Sequence, residues 1–396
     1  MFWKTAKRFI IFWSFVLLAA YLAYIYPLHR LTAWLGYPTL LNLPAIVGLW
    51  FAVTAILWLS FRSSSRALEV ILYNWMGIGF VFFSLCLTHE LLRLGLPLSD
   101  RWAAIIILAI GIGVVIFAFA TAQRLCCKQL QFSDPRFTRK TRLVQISDVH
   151  IGSRSPGFLS RVVKTINGKD PDLVLITGDF LDARRVGPKD IAALKALNAP
   201  IYFSIGNHER YAGLERVIPM LENAGCVLLR SQAVRLGELQ LIGVDDAEDP
   251  GQVKNELAKI SLEPECFKVL LYHRPLGWEA AVESDINLML CGHTHNGQIF
   301  PFNWLVRQQF KRIRGLHTRD NCHLYVSPGT GTWGPAMRLG SHNEITCIDL
   351  SSGKALDAQL GSRHYTDSLC RRTGSDSQRS VDITEDAQAK LSSVCP

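Results

Sequence analysis

The chain has 396 residues, a formal net charge of +9 and a hydrophobic content of 49%, enough for two or three domains and a sizeable core. Its ten cysteines form no regular framework and no C-x-x-C pair, which excludes a disulfide scaffold and points to free thiols in a reducing compartment. The basic balance fits either nucleic acid or a membrane surface, and its clustering beside apolar segments favours the membrane.

Apolar residues concentrate in residues 1–123. The stretches Phe9–Ile25, Leu43–Phe61, Leu68–Leu87 and Trp102–Ala122 each approach the ~20 residues needed to cross a bilayer core. Trp3, Tyr26, Trp34 and Trp102 stand at their edges, where aromatic side chains favour the interface. Glu69 and Asn74 interrupt the third stretch. The first is too long, and too poor in a small-x-small cleavage site, for a signal peptide. An all-α four-span transmembrane domain is expected. Lys4, Lys7, Arg8, Arg62, Arg66, Arg124 and Lys128 fall on one side, against Arg30, Arg93 and Arg101 on the other. That bias places both termini, and the rest of the chain, at the cytoplasmic face of a cell or inner membrane.

Residues 124–140 read as a basic, proline-containing linker. From Thr141 short apolar runs alternate with amphipathic segments, the pattern of an α/β domain over 141–350. Strands are expected at Leu143–Ile146, Leu173–Thr177, Ile201–Ile205, Leu239–Val244, Val269–Tyr272, Ile286–Leu290, Leu324–Val326 and Ile345–Leu350. Helices are expected at Phe158–Asn167, Lys189–Leu197, Leu214–Ala224 and Val253–Ile260, and Val227–Leu236 reads as a hairpin arm feeding the Leu239 strand. Residues 351–396 form a polar tail, disordered by composition.

Five strand ends share one device. Leu143–Ile146 runs into Asp148-Val-His150, Leu173–Thr177 into Gly178-Asp179, and Ile201–Ile205 into Gly206-Asn207-His208-Glu209. The last two runs lead to His273 and to Gly292-His293-Thr-His295. Core packing does not require a polar group at every strand end, whereas a binding crevice at the carboxyl ends of strands does. Asp148, His150, Asp179, Asn207, His273, His293 and His295 offer oxygen and nitrogen donors and no thiolate, a mix suited to manganese, iron or zinc. Seven donors exceed the need of one tetrahedral ion and suit two divalent ions about 4 Å apart sharing a carboxylate. Asp179 is the candidate bridge.

The ordered set Asp-x-His, Gly-Asp, Gly-Asn-His-Glu, lone His and Gly-His-x-His resembles the calcineurin-like metallophosphoesterases over roughly Leu143–Leu350. The resemblance implies a two-sheet sandwich flanked by helices with a binuclear metal centre at the strand ends. Asp148, His150, Asp179 and His295 would hold the first ion, and Asp179, Asn207, His273 and His293 the second. His208 matches the histidine that supports the leaving oxygen, with Asp182 or Glu209 to orient it. Ala183 stands where the phosphoprotein phosphatases of this superfamily carry Arg, a departure from that branch. Gly-His-Thr-His-Asn-Gly-Gln298 and Val326-Ser-Pro-Gly329-Thr-Gly331 are similar to the bacterial membrane-associated YkuE/YaeI-like branch. That branch has glycine at the place of Asn296, and His342-Asn343-Glu344 departs from its Arg-Pro-Glu. Arg338 resembles its substrate-side arginine.

The expected activity is hydrolysis of a phosphomonoester, phosphodiester or pyrophosphate bond by metal-activated hydroxide. Arg154, Arg184, Arg210 and Arg338 stand as candidates to meet phosphoryl charge, with a solvated surface role as the alternative for each. Anchoring at a membrane makes lipid-linked phosphate esters attractive substrates. A metal-dependent nuclease is an enzyme alternative that would need a long basic groove, and Asp245, Asp246, Glu248 and Asp249 argue mildly against it. From another class, the domain can be a membrane sensor that binds a phosphorylated ligand without turnover, although every metal and acid position is intact.

Overall fold

The protein is described here from a computed structural model covering residues 14, 16–62, 65–182 and 186–353. A π-helical turn, Tyr21–Ile25, leads into α1 (Tyr26–Trp34), followed by α2 (Leu43–Arg62), α3 (Arg66–Arg93) and α4 (Asp100–Thr121). The first expected span, Phe9–Ile25, lies partly outside the described residues, and its remainder runs on into α1. Four spans are expected from the sequence; among the described residues two helices, α3 and α4, are long and apolar enough to cross a membrane, and Leu43–Leu59 is a shorter apolar helix.

The linker expected at 124–140 is instead largely β1 (Leu125–Ser133). It pairs in parallel with the last strand, from Leu125 opposite Asn343 to Ser133 opposite Ser351. The reason lies in its alternation: Leu130 and Phe132 point into the core while Gln129 and Gln131 are exposed on the other face. The chain continues with β2 (Thr141–Ile146), α5 (Pro156–Asn167), β3 (Leu173–Thr177), α6 (Pro188–Ile191) and a 3-10 turn Ala192–Ala196. Then come β4 (Ile201–Ser204), α7 (Asn207–Ala212), α8 (Leu214–Asn223), β5 (Cys226–Leu228), β6 (Gln232–Leu236) and β7 (Leu239–Gly243). The remaining elements are α9 (Gln252–Leu257), β8 (Phe267–Leu271), α10 (Trp278–Glu283), β9 (Leu288–Cys291), α11 (Asn303–Gln309), β10 (Gly315–Arg319), β11 (Cys322–Val326) and β12 (Asn343–Ser351). The tail from residue 354 onward lies outside the described residues. The hairpin arm expected at Val227–Leu236 divides: β5 closes one sheet, and β6 pairs antiparallel with β7 in the other.

Two six-stranded mixed sheets result, ordered β1-β12-β2-β3-β4-β5 and β10-β11-β9-β8-β7-β6. Strands buried on both faces read as continuous apolar runs, and their two-residue period sorts side chains between layers. Leu143, Leu173, Leu175, Leu241, Val269, Leu271, Leu288 and Leu290 fill the space between the sheets. Their neighbours Val144, Val174 and Ile176 face α5 and α8 on one outer side. Ile242, Leu270 and Met289 face α9 and α10 on the other. Parallel β2, β3 and β4 of one sheet and β8 and β9 of the other therefore deliver their carboxyl ends to one edge of the sandwich.

β1 and β12 are tied across the sheet by Asp349. Its carboxylate accepts Gln129 Nε2–H at 2.6 Å and Arg142 Nε–H at 2.7 Å, with Lys140 Nζ 2.9 Å away. The hydrogen bond from Arg142 holds this carboxyl below the ordinary range. A carboxyl with a depressed folded-state pKa contributes stability above its unfolded value and loses it as pH falls. Asp349→Asn is therefore expected to lower the thermal midpoint at pH 7, by about 1 kcal/mol of stability after screening. The gap to the wild type should close as the pH drops through about 4 and below, followed by circular dichroism.

Candidate metal centre

All seven expected metal ligands come together at that edge, and five of them, Asp148, His150, Asp179, His293 and His295, sit at positive φ between 49° and 72°. Left-handed backbone is costly for residues with a Cβ and clusters at functional sites. It turns each side chain back over its strand end. Space for this is made by glycine. A Cβ on Gly206 would stand 2.3 Å from Asp179 Oδ1, and one on Gly292 2.2 Å from Asp148 Oδ2.

The donors fall into two groups. Asp148, His150 and His295 form one and Asp179, His273 and His293 the other, each with ligand atoms within 4.8 Å of one another. In the first, His150 Nε2 faces His295 Nε2 at 3.1 Å, and Asp148 Oδ1 lies 3.5 Å from the same His295 nitrogen. In the second, His273 donates Nδ1–H to the Thr177 carbonyl at 2.8 Å, which fixes its tautomer. Its Nε2 lies 3.0 Å from Asp179 Oδ2 and 3.1 Å from His293 Nδ1. Three potential ligand atoms converge there, a geometry that a shared cation would satisfy. Asn207 adds a further signal: its buried Oδ1 has no hydrogen-bond partner in the protein, and a buried acceptor left unpaired is costly. The donor set thus fits divalent metal ions. Asp148 also accepts the His293 backbone N–H at 3.0 Å, linking the two groups.

Charge is distributed to match. Burial and then the neighbouring His273 push the His293 imidazole down to about 3. Burial followed by His150 lowers His295 well below its ordinary value. Both are therefore neutral, the ligating form. Against the pull of burial, Asp179 pushes His273 up to about 10.

His208 lies at the rim. Its Nδ1 is 3.0 Å from Asp182 Oδ1, and its Nε2 is 4.0 Å from Asp179 Oδ2. Burial opposes it, but contact with Asp182, followed by the charge of Asp179, raises His208 to about 9. Asp182 also lies 3.5 Å from His150 Nδ1 and accepts the Ser153 hydroxyl. Of the two residues considered for orienting His208, the one in contact with its ring is Asp182.

Glu209, the other, does something the sequence reading missed. It is fully buried, and its carboxylate accepts backbone N–H groups from Asp179 at 2.9 Å, Phe180 at 2.8 Å, Leu181 at 3.0 Å and Gly206 at 2.9 Å. The Gly206 bond is half of a capping box, legible as Glu at the third position of α7. The other three bonds cross to a different strand end and leave no trace in local sequence.

Arg338 is corrected as well. Expected to face substrate, it is fully buried. Its guanidinium donates to the carbonyls of His295 at 2.9 Å, Gly331 at 2.6 Å and Gly329 at 3.3 Å, and to Asn343 Oδ1 at 3.0 Å. With its donors committed to loops, it braces the His295 turn. Arg154 is buried, stacked on Phe158 and bonded to the Ala122 carbonyl. Arg210 donates to the Asp246 carbonyl at 2.6 Å, and Arg184 lies outside the described residues. Asp245 and Asp246 pair with Arg230 and Arg274, each at 2.9 Å, so they present no unpaired acidic patch. Asn296 adopts φ 50° and ψ 34°, the left-handed conformation its place beside Gly297 demands. The sequence reading also passed over Tyr211 and Trp333, whose rings flank His208 at 5.5 Å and 5.9 Å.

Residues 141–297 match the calcineurin-like phosphoesterase family. A Campylobacter jejuni protein named an uncharacterized metallophosphoesterase is 33% identical over 240 residues, 57% of this chain and 63% of that protein. A metallophosphoesterase of Aquifex aeolicus is 30% identical over 221 residues, covering 53% of this chain and 84% of the relative. A Danio rerio protein named a transmembrane protein with metallophosphoesterase domain is 32% identical over 243 residues, covering 54% of each chain. The chain thus spans less than two thirds of the Campylobacter and Danio relatives.

Replacing the Glu209 acceptor by an amide turns an N–H group toward backbone donors. Glu209→Gln is expected to cost about 2–3 kcal/mol of stability and to weaken metal binding about 10- to 100-fold. Isothermal titration with Mn2+, beside a chemical denaturation series, checks both.

Proposed function

Because the chain belongs to the calcineurin-like metallophosphoesterases, we propose that it hydrolyses phosphoric ester or pyrophosphate bonds as a membrane-anchored enzyme with two metal ions. The observation that carries this is the pair of adjoining donor triads with His208 poised at their rim. Asp148, His150 and His295 would hold one ion, and His273, His293 and Asn207 the other, with Asp179 shared between them. Divalent cations held there supply Lewis-acid activation of water and of the phosphoryl oxygens.

The chain's own residues account for the remaining steps. Asp182, fixed by His150 and the Ser153 hydroxyl, holds His208 through Nδ1. That leaves His208 Nε2 directed at the donor cluster, where it can pass a proton to the departing oxygen. The backbone N–H of His208 donates to Asp179 Oδ1 at 2.8 Å, so the acid and the shared carboxylate move as one unit. Tyr211 and Trp333, both more than half exposed, wall the side where the leaving group departs. Helices α3 and α4 support anchoring in a cell membrane, as does the name of the Danio relative. The basic bias of the loops supports a cytoplasmic catalytic domain. A phosphate ester, with lipid-linked esters among the candidates, is the substrate class that follows.

The full chain in detergent with Mn2+ is expected to hydrolyse bis-p-nitrophenyl phosphate. His208→Ala should lower kcat about 10²- to 10⁴-fold while two metal ions per chain remain by elemental analysis. Asn207→Ala should instead lose one of the two ions. No turnover by the wild type with any divalent metal would sink the enzymatic reading and favour a ligand-binding sensor.

A further inference from the structure

After residue 124 the described residues include eight exposed large hydrophobic side chains, and four of them fall within residues 300–305. Phe300 and Phe302 are each 45% exposed, Trp304 60% and Leu305 62%. Helix α11 buries none of its residues. A contiguous apolar run of this kind marks an interaction surface. It follows directly on the Gly292–Gly297 turn that carries His293 and His295.

Its surroundings identify the partner. Ile299 packs in one buried cluster with Val81 of α3, Ala118 of α4 and Met337. The Phe302 ring meets Phe80 of α3 edge-on at 6.2 Å. Helices and catalytic domain dock at a defined level, where Asn74 Oδ1 accepts the Ala336 N–H at 2.8 Å and Arg338 N–H donates to the Ala118 carbonyl at 3.0 Å. Beyond it α3 runs on to Arg93, and α4 runs back to Asp100. At 1.5 Å per residue each covers about 27–29 Å, close to the ~30 Å hydrocarbon core of a bilayer. The far end closes in a polar cluster in which His89 and Arg93 each lie 3.3 Å from Asp100 and Arg30 pairs with Glu90. Residues 300–305 stand at the near border. Ile116 and Phe117, in the last turns of α4, are exposed as well. On the flank, Arg307, Lys311 and Arg314 are exposed, the charge expected opposite anionic headgroups.

We propose that residues 300–305 form a lipid-facing wedge that seats the metal centre at an anionic bilayer surface. The assignment rests on reading α3 and α4 as membrane helices. Aromatic side chains favour that depth because one end is apolar and the other wet. The wedge connects to the catalytic rim through Gln298, whose amide donates to the Trp333 carbonyl at 3.0 Å and accepts the Trp333 N–H at 2.9 Å. Trp333 in turn contacts His208. A phosphate-bearing lipid headgroup would then reach the site along the membrane surface.

Photocrosslinking of the full chain in phosphatidylethanolamine–phosphatidylglycerol vesicles tests this. p-Benzoylphenylalanine is placed at Trp304, at Ile112 on the exposed face of α4, or at Val227 on β5. Mass spectrometry of the irradiated protein should find lipid adducts at positions 304 and 112, several-fold above position 227. More phosphatidylglycerol should raise the yield at 304 and leave 112 unchanged. Lipid adducts at 112 without any at 304, or adducts of 304 to a second copy of the chain, would overturn the wedge alone. No lipid adduct at 112 would overturn the membrane reading and the wedge with it.

Discussion

The metal centre depends on one buried carboxylate, that of Glu209. Two strand ends, after β2 and β3, pass through left-handed backbone, and the turns at Asp148, His150 and Asp179 each cost about 1–3 kcal/mol. Glu209 offsets part of that cost by taking four backbone N–H donors from the Gly206 and Asp179 turns together. The turns then zip to one another: Asp148 N–H donates to the Gly178 carbonyl at 3.0 Å, and His150 N–H to the Asp179 carbonyl at 3.1 Å. The candidate ligands are thus oriented by the fold itself, as outer hydrogen bonds orient the ligands of metal sites.

The second sheet's half of the site has a different brace, and it reaches the helices. Arg338 grips the His295, Gly329 and Gly331 carbonyls. Asn343, which accepts from Arg338, donates through its amide to the Ala122 carbonyl at 2.7 Å. The last carbonyls of a helix lack partners within it; at the end of α4 the Ala122 carbonyl accepts from Asn343 and Arg154, and the Arg338 backbone N–H adds a second bond to the Ala118 carbonyl. The Arg154 guanidinium also lies where a helix C-terminus favours positive charge. Helices and phosphoesterase domain are joined by the same residues that hold His295 in place.

Much of this was legible in the sequence. The order of five strand ends singled out seven candidate donors, and six of them, Asp148, His150, His295, Asp179, His273 and His293, fall into two close groups, because each pairs a strand signal with a polar residue at a fixed offset. Strand positions were legible because doubly buried strands are apolar throughout. β1 was hidden by Lys128, Gln129 and Gln131, which dilute its apolar signal, and by pairing with a strand more than 200 residues away, a distance no local window spans. The roles of Glu209 and Arg338 were hidden for a related reason. A charged side chain in a motif suggests contact with ligand, yet both are spent on backbone groups brought close only by the fold.

The polar residues of the third apolar stretch make the same point in reverse. Glu69 and Asn74 weaken that stretch as a membrane span when it is read as a hydropathy profile. In the folded chain α3 has 28 residues, about 42 Å of helix, longer than a bilayer core requires. Its first turns lie beside the catalytic domain. There Asn74 bonds the Ala336 N–H, and Gly77 leaves room for Met337 and Pro335, which a Cβ would meet at 2.8 Å. A hydrogen-bonding side chain is costly in lipid and useful at a protein interface. The interruption therefore marks where α3 packs against the catalytic domain and becomes scaffold for the loop that carries Arg338.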